Sequence, residues 1–160
     1  MTVFPRGTEL RLPLRPRIYR DGPAASPSSG MQELARALHL LRATGVHISL
    51  FRFVFSGDGD GYGHLAVACA FGRKGIVGRL PDGGVVLMLV NPGREDDATE
   101  ACVSAGLEEA CLDVGFAGMV ETSAIHASAA DVSDLDELLL HLALRVPNRL
   151  PIEHRRVAAA

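Results

Sequence analysis

Long apolar runs, a surplus of positive charge and paired cysteines are all missing from this sequence, and each absence excludes something. The longest apolar stretches, such as Val85 to Val90, are far too short to cross a bilayer. Arg6, Arg11, Pro13 and Arg15 interrupt the first residues, which have no continuous apolar core. No secretory signal is expected there, and a cytoplasmic location follows by default. A net charge of -3 gives no global case for nucleic-acid binding. Lys74 is the only lysine, while arginines gather at both ends, at Arg11, Arg15, Arg17 and Arg20 and again at Arg145, Arg149, Arg155 and Arg156. Solvated termini explain them more simply than an anion-binding patch does. Cys69, Cys102 and Cys111 are odd in number and form no C-x-x-C pair, which argues against a disulfide framework or a cysteine-based zinc site. All three sit among small apolar residues, where a thiol is expected to pack as a small hydrophobe.

Catalytic signatures are equally scarce. None of His39, His47, His64, His126, His141 and His154 pairs with another at the i, i+4 spacing of a helical metal site. The nucleophile-elbow pattern G-x-S-x-G is absent, and no Ser-His-Asp or Cys-His arrangement stands out. Neither a metal nor a cofactor is expected.

What is present is a globular body. Apolar residues make up 48% of 160 residues, enough for one domain with a full core. Residues 1–28 read as an extended or flexible arm, because prolines block helix formation in "LRLPLRPRIYR" and "DGPAASPSSG" is rich in turn formers. From Ser29, which with Gln32 fits a capping box, Met31, Leu34, Leu38 and Leu41 recur at helical spacing up to a left-handed cap at Gly45. Val46 to Phe55 is apolar on both faces and predicts a central strand covered on each side. "HLAVACAFGRK" fits either a helix, by its alanines, or a strand, by the alternation of Leu65, Val67, Cys69 and Phe71. Gly78 to Leu80 and Val85 to Val90 flank Pro81-Asp82-Gly83-Gly84, a hairpin signal. Asp97 with Glu100 caps a helix buried along Val103, Leu107, Ala110, Cys111 and Val114. A strand is predicted over Phe116 to Ile125. A helix capped by Ser133 and stopped by Pro147 follows, then a loose tail over residues 151–160. Strands alternating with helices around one hairpin predict an α/β class chain, an α+β sandwich with helices packed on a mostly antiparallel sheet.

That order resembles the GGDEF domain of diguanylate cyclases, relatives of the nucleotide-cyclase palm. "SPSSGMQELARAL" is similar to the family's opening "DPLTGLPNRRAL", and "LFRFVFSGDGDGYGH" to "LDIDHFKRINDTYGH", keeping Phe55, Asp60, Tyr62, Gly63 and His64. "VGRLPDGGVVLML" resembles "VARLGGDEFALLL", and Met119 to Leu144 is similar in outline to the family's last strand and helix. The resemblance implies a ferredoxin-like core over residues 29–150. It also implies a role in bacterial signalling through cyclic di-GMP.

The departures point away from catalysis. In the family, two aspartates on the first strand hold magnesium against triphosphate oxygens; Phe51 and Phe53 stand at those positions and offer no oxygen. The signature Gly-Gly-Asp-Glu-Phe is replaced by Pro81-Asp82-Gly83-Gly84-Val85, in which Pro81 has no N–H and Gly84 takes the acidic position. Gly59 and Ala68 occupy the guanine-reading positions, and the upstream inhibitory Arg-x-x-Asp is missing at Gly72 to Gly75. The expectation is therefore a pseudo-enzyme with no catalytic residues, acting as a regulatory or protein-interaction module with a protein partner or a second copy of itself. An alternative is a receptor for a nucleotide or cyclic di-GMP through a non-standard site. Its candidate ligand-binding residues are Arg79, Asp82, Gly83, Gly84 and Asp60, the first two matching Arg-x-x-Asp within the hairpin itself. A different enzyme on the same core is a further alternative. Asp58 and Asp60 are spaced like the first ligands of a calcium loop, but Tyr62 and Cys69 stand where its third ligand and bidentate glutamate belong. If residues 64–72 form a strand, residues 46–90 become a meander and the resemblance weakens.

Overall fold

The computed structural model describes residues 27–153, and within them four helices pack on the two faces of one five-stranded sheet. In chain order these are α1 (Pro27–Leu41), β1 (His47–Asp58), α2 (Gly63–Phe71), β2 (Gly75–Arg79) and β3 (Val85–Val90). Then come α3 (Asp96–Val114), β4 (Ala117–Ser128), α4 (Leu135–Leu144) and β5 (Asn148–Ile152). The strand order is β2-β3-β1-β4-β5 and every neighbouring pair is antiparallel. The central β1-α2-β2-β3-α3-β4 run is thus a ferredoxin-like unit, extended by β5 at one edge and by α1 and α4 on one face. The α+β class expected from the sequence is the one observed.

Strand β1 sits in the middle of the sheet and feeds two cores. Its Phe51 and Phe53 join Val67 and Phe71 of α2 and Val103 and Leu107 of α3 on one face. Ile48 and Leu50 point the other way, against Leu34 and Leu38 of α1 and Leu138 and Leu142 of α4. The period of two in a strand makes this division automatic, and β3 follows it with Val85, Leu87 and Leu89 on the first face and Val86 and Met88 on the second.

The ambiguous segment is a helix. In α2 the buried residues Gly63, Ala66, Val67, Ala68 and Phe71 fall on one broad helical face, whereas Leu65 and Cys69, on which the strand-like alternation also rests, are exposed. The meander alternative is thereby excluded. Helix α1 begins at Pro27, two residues before the expected cap, and Gly45, though left-handed at φ 67, lies beyond the helix and closes the turn leading to β1. Gly30 lets α1 lie directly on β2: a Cβ there would sit 2.7 Å from the Val77 carbonyl oxygen and 2.9 Å from Gly78 Cα.

Other boundaries move for local reasons. Helix α3 starts at Asp96 after Glu95, so Asp97 lies within its first turn instead of capping it. Asp134, not Ser133, caps α4, its carboxylate accepting from the Glu137 N–H at 2.8 Å, while the Ser133 hydroxyl donates to the Glu137 side chain. Pro151 and Ile152, placed in the tail by the sequence, belong to β5, and Ile152 is buried in the α2/α3 core. Cys111 is buried as expected, and burial pushes its thiol up to about 11. Cys69 and Cys102 are exposed, contrary to the packing expected for them. The arm expected over residues 1–28 falls outside the described residues except for its last two, which begin α1. Among the described residues, no helix is long and apolar enough to cross a membrane.

Candidate functional site

Two places bear on function, one at each end of β1. At the end marked by Phe53 stands the β2–β3 turn. Leu80 donates its N–H to the Gly84 carbonyl at 2.8 Å, and the Gly83 N–H donates to the Leu80 carbonyl at 3.0 Å. Gly83 supplies a left-handed φ of 91. The Asp82 carboxylate accepts from the Gly84 N–H at 2.8 Å through one oxygen and from Arg52 Nη2 at 2.9 Å through the other. The Gly84 bond and the neighbouring guanidinium hold the Asp82 carboxyl below its ordinary range. The turn thus folds its one acid onto its own backbone, an Asx arrangement.

The remaining residues expected at this end are placed as follows. Arg79 is exposed at the end of β2, and its charge, after burial itself, helps push His64 down to about 4. Asp60 opens a short 3-10 turn (Asp60–Tyr62) on the surface ahead of α2. Phe51 and Phe53 are 3% and 0% exposed, and their rings stack with centroids 6.1 Å apart. The residues at these two positions do not fit magnesium, a hard cation that binds through oxygen. A cavity of about 130 Å³ lies beside them, bounded by Ser104 of α3, Thr122 and Ser123 of β4, and Asn148 of β5. Its walls include neither the hairpin turn nor Asp60. At that volume it is well below the roughly 300–1,000 Å³ of ordinary small-molecule sites.

The opposite end of β1 holds a polar cluster that spacing in the sequence concealed. The antiparallel register sets Ser49 of β1 against His126 of β4. His47, two residues before Ser49 on the same face, stacks its ring almost parallel to that of His126, with centroids 6.3 Å apart. The first turns of α3 bring two acids over them. His47 Nε2 lies 2.9 Å from Asp96 Oδ1. His126 Nε2 lies 2.6 Å from Glu100 Oε2, and its Nδ1 lies 2.8 Å from Ser49 Oγ and 3.5 Å from the same Asp96 oxygen. An ionised carboxylate can only accept, so Glu100 fixes the hydrogen of the neutral His126 ring on Nε2. The Nδ1 lone pair then accepts from the Ser49 hydroxyl.

Ser49, His126 and Glu100 thus stand in the order of a nucleophile, base and acid. Ser49 is 0% exposed, however, so its hydroxyl is closed to any substrate. The outer members are open: the His47 and Asp96 side chains are 42% and 49% exposed, against 10% for His126. Ligand atoms of His47, Asp96 and His126 all lie within 4.8 Å of one another.

The two histidines are 79 positions apart in the chain. The usable signal is positional: one histidine lies at the start of a predicted strand, the other directly follows the end of another, and acids open the helix between them. Comparison of the chain with family models, curated proteins and solved structures gives no match.

Proposed function

We propose that this chain is a degenerate GGDEF-like domain that regulates by binding a protein and makes no cyclic dinucleotide. The observation that carries the reading is the closure of Phe51 and Phe53 into the core where the family places its metal-binding aspartates. Phosphoryl transfer depends on positioning and on electrostatic stabilisation of highly charged oxygens. Two buried phenyl rings desolvate such charge instead of balancing it. The turn offers no substitute, because Asp82 is already engaged by Gly84 and Arg52.

The order of elements, with a helix between β1 and β2 and a hairpin at Pro81 to Gly84, supports the family likeness. Support for a binding role comes from apolar side chains left outside the α1/α4 layer. Leu40, Leu140, Leu144 and Val146 are exposed, while their inward neighbours Leu38, Leu138 and Leu142 fill the core. Apolar side chains exposed on the outer surface of a helical layer are candidates for an interaction surface.

The full chain, incubated with GTP and magnesium, is expected to release no pyrophosphate, and calorimetry against GTP, ATP and cyclic di-GMP is expected to show no heat of binding. Pyrophosphate release would overturn the pseudo-enzyme reading. Saturable binding of any of the three would replace the interaction module with a nucleotide receptor.

A further inference from the structure

We propose that His47, Asp96 and His126 form a binding site for one divalent transition-metal ion, zinc in particular, with Glu100 orienting His126 from behind. The inference is independent of the proposed function, because the cluster lies at the end of β1 remote from the hairpin. Ile48 pairs with Val90 and Phe53 with Val85, so the two ends are separated by five or six residues, or about 20 Å of strand.

The donor set suits a borderline ion. Two imidazoles and one carboxylate, with a further position left for water, are the ligands of open zinc sites and of other imidazole-favouring metals, and differ from the all-oxygen shells of magnesium or calcium. The spacing suits it too. Ligands bound at about 2.0–2.1 Å in a tetrahedron are about 3.3 Å apart. The two separations to Asp96 Oδ1, 2.9 Å from His47 Nε2 and 3.5 Å from His126 Nδ1, bracket that value, and the third edge of the triangle is no longer than 4.8 Å. Closing that edge falls to the half-exposed side chains of His47 and Asp96.

Second, the outer support of one ligand is already in place. With Glu100 holding the Nε2 hydrogen of His126, the Nδ1 atom keeps its lone pair, which Ser49 occupies while Asp96 Oδ1 accepts from His47; an ion would replace these two hydrogen bonds. A carboxylate that accepts the free N–H of a ligating histidine is the usual outer partner of such sites, fixing both tautomer and ring orientation. On binding, Ser49 turns its hydroxyl away from Nδ1. His47 Nε2, which donates to Asp96 in the hydrogen-bonded cluster, passes its hydrogen to Nδ1 so that Nε2 meets the ion. The exposed side of the cluster gives the ion its entry path.

Bound there, the ion joins the start of α3 to β1 and β4, three elements far apart in sequence. Zinc is therefore expected to raise the melting temperature of the full chain, and EDTA to reverse the rise, because a ligand that binds only the folded state stabilises it.

The test is titration of the full-length, untagged chain with zinc and with cobalt(II) as a spectroscopic stand-in. One equivalent of zinc is expected to bind. The cobalt form is expected to show visible d–d absorption without the charge-transfer band that thiolate ligation by Cys69 or Cys102 would give. His47→Gln and Asp96→Asn change half-exposed side chains and leave the core untouched; each is expected to weaken zinc at least tenfold. Glu100→Gln keeps all three ligands, and about a tenfold loss is expected from the weakened support. Wild-type affinity in both ligand variants, thiolate absorption in the cobalt form, or no binding by the wild-type chain would each overturn the assignment.

Discussion

Replacing Phe53 by aspartate, the residue type that the family likeness would place there, is expected to unfold the domain and not to revive it. Phe53 is fully buried, within 6.1 Å of Phe51 and 6.5 Å of Phe55 between ring centroids, under α2 and α3. Truncating a buried phenylalanine costs about 3–5 kcal/mol through lost transfer energy and the cavity left behind. An unpaired carboxylate in the same space adds several kcal/mol, about 3 or more even if the acid stays protonated. Together these reach roughly 6–8 kcal/mol, against a total stability of about 5–15 kcal/mol for a domain of ordinary size. Phe53→Leu keeps the apolar character and is expected to cost only about 1–2 kcal/mol. Urea unfolding followed by far-ultraviolet circular dichroism separates the cases. The leucine variant should keep a cooperative transition at a lower midpoint, and the aspartate variant should have little or no folded baseline at 25 °C. A Phe53→Asp chain that melts cooperatively near the wild-type midpoint would refute the reasoning, and one that also turned over GTP with magnesium would refute the proposed function.

Three further outcomes follow from individual contacts. Since burial and Arg79 depress His64 from 6.5 to about 4, the folded chain keeps that ring neutral while the unfolded chain protonates it. The contribution is complete above pH 6.5 and is lost as pH falls toward 4; the full shift corresponds to about 3 kcal/mol, and solvent screening of a partly buried ring reduces this to about 1–2 kcal/mol. The fall in urea midpoint between pH 7 and 4.5 should therefore be smaller in His64→Gln than in the wild type. Gly30→Ala is expected to destabilise by about 1–3 kcal/mol despite alanine's better helix propensity, because the new methyl meets β2 backbone that cannot step aside; a higher melting temperature would show that α1 does not press on β2. Asp82→Ala should cost about 1 kcal/mol through the lost Gly84 bond, whereas Asp82→Asn, which retains an accepting oxygen but not the charge opposite Arg52, should cost only a few tenths, a difference readable from paired denaturation curves.

The parts of this fold legible in the sequence are those in which a single residue pattern decides the outcome. The double-faced apolar run of β1, the Pro81-Asp82-Gly83-Gly84 turn and the leucine spacing of α1 and α4 each specify an element without help from elsewhere. Segment 64–72 was open because alternation and helical spacing coincide over so short a stretch; packing against α3 decides between them by burying Phe71 and leaving Leu65 out. Strand β5 is not legible in the sequence because Asn148, Arg149 and Pro151 are exposed and only Ile152 is fully buried, so there is almost no pattern to read. The polar cluster is hidden in the sequence for a different reason. His47, Asp96, Glu100 and His126 become neighbours through the β1–β4 register and the return path of α3, a relation between elements to which local spacing is blind.

The loop between β3 and α3 divides the chain so that each helical layer draws one helix from either side: α1 and α2 precede it, α3 and α4 follow. The N-terminal piece keeps three adjacent strands, β2, β3 and β1, and the C-terminal piece keeps β4 and β5. Neither fragment alone can shut either apolar layer away from water, yet each carries the surface that completes the other. A backbone cut within residues 91–95 should give two pieces that are unstructured apart and regain the sheet when mixed, which makes this loop the natural joint for a split-protein reporter.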